Sequence, residues 1–260
     1  MTKRFPLLAA LVLLASPTVA LAQDDDWEFQ EDPSQKLSVA AVRYEGGQMI
    51  ALQCEDEQLR LVITDLPQLE GQLHLTGTRA DGRGVEQVWT PIAPGVYRSA
   101  MPGRDARFLR GGGAYSLRPS RHETAAISVD FDLPAESANL DRVLTACGWA
   151  LEDDRDLLPE AYEAYLSPNM RERAGPDEAV RYYRVAANPE REVSCIVRGA
   201  RLADCRADHP ASARNSHVKS LLRAARGSRI TVAQGIDPAT LEGRVFRAIA
   251  SNSWLVVVNR

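Results

Sequence analysis

Between residues 37 and 133 apolar and polar positions alternate with period two in a series of short runs: 37–44, 49–54, 59–64, 72–78, 85–90, 96–101, 107–110, 114–118 and 125–133. Leu59, Leu61 and Ile63 interleave with Arg60, Val62 and Thr64, and Leu73 and Leu75 with Gln72, His74 and Thr76. Each run therefore offers one apolar face, as a half-buried strand does. Turn residues punctuate the runs, among them Glu45-Gly46-Gly47, Ala80-Asp81-Gly82, Ala93-Pro94-Gly95 and Pro102-Gly103. Short strands at such spacing predict a β-sandwich-like domain. The period changes after Ser137, where Leu140, Val143, Leu144 and Cys147 fall at helical spacing and Gly148 supplies the stop. This helix closes a first domain over 37–151.

The pattern lapses over 152–178, a charge run followed by a short helical segment at 159–166 and a Pro-containing polar stretch, which reads as a linker. A second domain is expected over 179–260. Its first segment, 179–185, is a candidate edge strand, and alternation is clear on both sides of Gly199 in a hairpin over 192–206. Val218, Leu221, Leu222 and Ala225 then mark an amphipathic helix, and strands are expected at 243–250 and 254–258. The order β-β-α-β makes this domain α+β and the chain as a whole mainly β.

With a three-residue turn centred on Ala200, Cys195 and Cys205 stand opposite each other, close enough for a disulfide. Four cysteines allow three connectivities. The pairing Cys54–Cys147 with Cys195–Cys205 is favoured because each bond then stays within one region. No Cys-x-x-Cys spacing or nearby histidine suggests zinc, and neither metal nor cofactor is expected.

The first 22 residues resemble a cleavable signal peptide: Lys3-Arg4, an apolar run to Ala15, and Ala20-Leu21-Ala22 before the polar Gln23. That run is shorter than the ~20 residues a span needs, so the mature chain is expected to be periplasmic, without a membrane span and in a disulfide-forming compartment. Residues 23–36 read as a mobile acidic terminus. The formal net charge is −4, and −6 once Lys3 and Arg4 leave with the leader, which disfavours nucleic acid or an anionic membrane as partner.

Candidate chemistry is sparse. His74, His122, His209 and His217 read as surface residues, and no Gly-x-Ser-x-Gly elbow is present. Ser120, Ser128 and Asp130 near His122 form the nearest thing to a hydrolase cluster, and no catalytic residue is assigned. Asp130 with Asp132, and Asp153 with Asp154, read as solvated carboxylates. Arg110-Gly111-Gly112-Gly113 lacks the ending of a P-loop and reads as a hairpin turn. Arg104, Arg107, Arg110 and Arg118 around it are candidates for an anion- or glycan-binding face. Tyr182 and Tyr183 are candidates for contact with a partner strand added to an open sheet edge.

Two resemblances bear on function. Val193-Ser194-Cys195-Ile196-Val197, Leu202-Ala203-Asp204-Cys205, the helix to Ala224-Ala225-Arg226 and a strand after Gly243 together resemble a degenerate TonB C-terminal-like domain of exported alphaproteobacterial proteins. Tyr182-Tyr183-Arg184 stands where that family has Tyr-Pro. Leu52-Gln53-Cys54, Trp89, Phe131-Asp132-Leu133 and Ala146-Cys147-Gly148-Trp149 are similar to VasI-type periplasmic proteins associated with type VI secretion. The resemblances imply a non-catalytic envelope protein that binds a protein partner. An envelope hydrolase and an anion- or glycan-binding module are the alternatives.

Overall fold

A computed structural model describes residues 25–69, 71–120, 127–162, 164–166, 192–232, 234–250 and 255–257. The expected leader, the edge strand at 179–185 with Tyr182 and Tyr183, and His122 lie outside these residues. No helix among the described residues is long and apolar enough to cross a membrane.

The fold is mainly β. Strands β1 (Glu28–Asp32), β2 (Leu37–Arg43), β3 (Met49–Glu55), β4 (Gln58–Thr64), β5 (Leu73–Arg79), β6 (Gly84–Ala93), β7 (Val96–Ser99), β8 (Gly113–Pro119) and β9 (Val129–Leu133) form one nine-stranded antiparallel sheet in the order β1-β2-β3-β4-β7-β6-β5-β8-β9. The alternation sets the register: Ile50, Leu52 and Cys54 of β3 face Ile63, Leu61 and Leu59 of β4, and all six are buried. Shifting that pairing by one residue would turn every one of them to water. The sheet curls until its ends approach. The Tyr44 ring beyond β2 lies 4.9 Å from the Phe131 ring of β9, and the Glu136 amide donates to the Asp25 carbonyl at 2.7 Å. Helix α2 (Ala138–Ala146) lays Leu140, Val143 and Leu144 into the core so enclosed. Cys147 at its end is bonded to Cys54, with the Cα atoms 5.6 Å apart.

One strand expected from the sequence is a helix instead. Residues 102–108 form α1 (Pro102–Phe108), with proline at the first position, Asp105 in the first turn and Arg107 in the last, an arrangement that suits the fixed φ of proline and the helix dipole. Gly103 is required for packing as well: a Cβ there would come within 2.1 Å of the Trp149 ring. Alanine favours a helix interior over glycine by about 0.5–1 kcal/mol, but this overlap involves a buried indole and outweighs that gain. Gly103→Ala should therefore lower stability by about 1–3 kcal/mol, measurable by urea denaturation; an unchanged or raised midpoint would show that the ring moves aside freely.

The second module holds a four-stranded sheet in the order β12-β11-β14-β15 and a two-stranded ladder of β10 with β13. The strands are β10 (Ala164–Leu166), β11 (Glu192–Arg198), β12 (Arg201–Ala207), β13 (Ile230–Val232), β14 (Val245–Ala250) and β15 (Leu255–Val257). Helix α3 (Ser216–Ala225) packs Val218, Leu221 and Ala225 on Val193, Cys195, Val197 and Phe246. The hairpin turn is tighter than expected: Arg198 pairs with Arg201, leaving a two-residue turn at Gly199 and Ala200 with φ of 54° and 57°, as twist-matched hairpins require. A bulge restores the cysteine pairing. The register shifts between Ser194 and Ile196, Asp204 takes φ 47°, and Cys205 is bonded to Cys195.

Residues 153–162 and 164–166, within the stretch expected as linker with a short helix, are docked. The Val245 amide donates to the Pro159 carbonyl and the Ala161 amide to the Val245 carbonyl, and Ala161 and Ala164 are buried in the second core. Backbone pairing with β14 holds the chain extended where its composition alone suggested a helix.

Candidate functional site

Two features stand out: a buried seam of charges between the modules and an open groove on the second module. In β11 the odd-numbered Val193, Cys195 and Val197 face α3, so Glu192 and Ser194 face the other way, with Arg247 of β14 opposite Ser194. That second face meets the docked stretch, whose Arg155, Asp156 and Glu160 reach Ser194 and Arg247, with the charges of Asp105 and Arg107 of α1 close by. Arg247 donates to Asp208 Oδ2 at 2.8 Å and to Asp156 Oδ1 at 2.7 Å, and its Nε lies 3.2 Å from Glu160 Oε1. Arg104 donates to Asp105 Oδ1, Glu160 Oε1 and the Glu86 carbonyl. Arg107 holds Asp156. Arg155 donates to the Ser194 hydroxyl and carbonyl and to the Asp204 carbonyl. Asp153, expected to be solvated, takes Arg206.

Burial works against the charges of Arg104 and Arg247. The carboxylates around them, Asp105 and Glu160 for Arg104 and Asp208, Glu160 and Asp156 for Arg247, overcome it and hold both pKa values above the usual arginine range. Asp105 is pushed up by its own burial despite Arg104. His209 also belongs to the seam and not to the surface. It is 4% exposed, its Nδ1 accepts from the Ala211 amide, which assigns the proton to Nε2, and that nitrogen donates to the Cys147 carbonyl at 2.9 Å. Its ring packs on Trp149 at 4.9 Å.

The arginines named from the sequence do not gather into a ligand face. Arg104 and Arg107 are built into the seam. Arg110 is clamped by both oxygens of Asp141 and by the Leu151 carbonyl. Arg118 is held by Asp130 and the Val129 carbonyl. The glycine turn is no anion cradle either, because Arg79 fills it: its guanidinium donates to the carbonyls of Leu109, Gly111 and Gly112. Carbonyls point inward there, and they attract a cation.

The groove was not foreseen. It has a volume of about 540 Å³ and runs beside the β11–β12 hairpin, lined by Arg198, Arg201, Asp204, Cys205, Arg226 and neighbouring Leu202, Ala203 and Gly227. Arg201 donates to the Gly227 carbonyl at 2.7 Å and Arg226 to the Cys205 carbonyl at 3.5 Å, so both are oriented by backbone. Neither is in an ion pair among the described residues, whereas Arg198 lies 3.6 Å from Glu242. Asp204 is the one carboxylate on the wall among the described residues. From residue 192 on, the sequence carries eleven basic residues against five acidic ones, inside a chain of net charge −4. That asymmetry was readable in the sequence, but the whole-chain charge conceals it.

Comparisons with protein-family models, with curated proteins and with solved structures find no match for this chain.

Proposed function

We propose that the protein is a non-catalytic binding protein of the cell envelope, and that the groove of the second module receives an acidic segment of a protein partner. The observation that carries this reading is the pair Arg201 and Arg226, held by backbone carbonyls on the rim of an open groove with no carboxylate of their own among the described residues. Guanidinium groups fixed in this way lose little freedom on meeting a carboxylate and can hold it bidentately. The groove wall is braced by the Cys195–Cys205 bond, which suits a preformed site in an oxidising compartment.

Strand addition at β12 is disfavoured by the chain itself. Its outer edge already exchanges hydrogen bonds with residues 227–230 through Leu202 and Ala200. β15 stands at the opposite edge and is where an added strand would dock as a second mode of binding.

Fluorescence anisotropy with a labelled Asp/Glu-rich peptide provides the test. Arg201→Glu with Arg226→Glu should weaken binding at least about tenfold, equal to 1.4 kcal/mol, and added salt should weaken wild-type binding. The far-ultraviolet circular dichroism should be unchanged. Equal binding of an uncharged Gly/Ser peptide, or of the acidic peptide by both proteins, would remove this reading.

A further inference from the structure

Glu192 opens β11 at the seam. It is 1% exposed, and neither of its carboxylate oxygens has a hydrogen-bond partner among the described residues. A lone carboxylate removed from water without donors is so costly that the group takes up a proton instead. The charges around it are of both signs, and burial with the carboxylates outweighs the arginines. Asp208 faces it from the residues after β12, Arg247 from β14, and Asp105 and Arg107 from α1, while the docked stretch adds Asp153, Arg155, Asp156 and Glu160.

The guanidinium groups of the seam are taken up by other acceptors, although the buried Arg247 Nε makes a charge contact with Glu160 and no hydrogen bond among the described residues. Arg247 serves Asp208, Asp156 and Glu160; Arg104 serves Asp105 and Glu160; Arg107 serves Asp156 and Asp153. Arg155 is held by Ser194 and the Asp204 carbonyl, and the half-exposed Arg206 by Asp153 and the solvated Asp154. With Glu192 neutral, the carboxylates Asp105, Asp153, Asp154, Asp156, Glu160 and Asp208 already outnumber Arg104, Arg107, Arg155, Arg206 and Arg247 among the described residues, six against five. An ionised Glu192 would add a seventh carboxylate to that excess.

We propose that Glu192 is a proton-operated latch: carrying a proton it lets the β11–β14 face seat on α1 and residues 153–160, and losing that proton loosens the seam. Burial first, and then the Asp208 charge, hold its carboxyl well above the usual carboxylate range in the closed state. An opened seam returns it to the ordinary range, so the closed state binds one more proton between those two limits. Closure is therefore strongest below the ordinary glutamate range and weakens as pH rises towards the raised value. Asp105 is shifted in the same direction, so the test must isolate Glu192.

The full chain carrying Glu192→Gln, which keeps the neutral shape, is compared with wild type by urea denaturation from pH 4.5 to 9 and by hydrogen exchange. Across the window the unfolding constant of wild type should rise relative to the variant by up to about tenfold per pH unit, the linkage of one proton. At pH 8 the β11 amides should exchange more slowly in the variant, with those of β3 and β4 unchanged. A ratio constant with pH, or an exchange difference spread evenly over both modules, would overturn the latch. Glu192→Met supplies a second neutral occupant. Failure of both variants to fold at any pH would overturn the proposal too, because each offers the uncharged side chain that the closed seam is said to contain.

Discussion

Arg247→Met should cost about 3–5 kcal/mol of stability, the loss expected when one member of a buried ion network is removed and the others stay behind. Arg247 is 3% exposed, and its three carboxylate neighbours Asp208, Asp156 and Glu160 are themselves largely screened from water. Methionine fills most of the volume, so the loss reports stranded charge more than a cavity. Urea denaturation at pH 7 measures it. If stranded charge is the cause, adding Asp208→Asn should recover part of the loss, with a coupling of about 0.5–3 kcal/mol. Strictly additive effects would show that Asp208 finds water or another donor once Arg247 is gone.

Replacing Cys54 and Cys147 together with alanine should cost about 4–5 kcal/mol in the chain-entropy account, since the bond closes a loop of sequence separation 93. The same account gives about 3 kcal/mol for Cys195–Cys205, whose separation is 10. The ranking is testable by urea denaturation of the two double variants. The longer bond also ties the end of α2 to β3, so its loss should raise hydrogen exchange in α2 beyond that in β3 and β4. An equal or smaller cost for the Cys54–Cys147 pair would mean that the unfolded chain is too compact for loop length to matter.

Most strands of the N-terminal module were legible because each apolar face is buried against one core: Leu59, Leu61 and Ile63 announce β4 without help from the rest of the chain, whereas β1, in the stretch read as a mobile acidic terminus, pairs with β2 through residues that carry no apolar alternation. Helix α1 was not, because seven residues hold two turns, too few for a helical period, and Pro102-Gly103 is also a common turn. The cysteine pairing was legible from region alone, while the bulge at Asp204 that brings Cys205 back to Cys195 left no mark in the alternation. The seam was hidden for a different reason. Glu192, Ser194 and Arg247 occupy the polar phase of ordinary strand alternation, which looks the same whether that face meets water or a second module. Their partners lie far along the chain: Arg104 is 56 residues from Glu160, and Arg247 is 91 from Asp156. His209 was misread on the same grounds, since a histidine in a turn carries no sign that a helix end will present a carbonyl to it.

Trp149 occupies an unusual position between the modules. Its ring touches Gly103, lies 5.9 Å from the Arg107 guanidinium and 4.9 Å from the His209 ring, and is 3% exposed. Trp27 and Trp89 are sealed inside the N-terminal core. Indole emission shifts to the red when water reaches the ring. The colour of Trp149 emission thus makes the protein its own optical gauge of whether its halves are joined, readable in real time and without any attached dye.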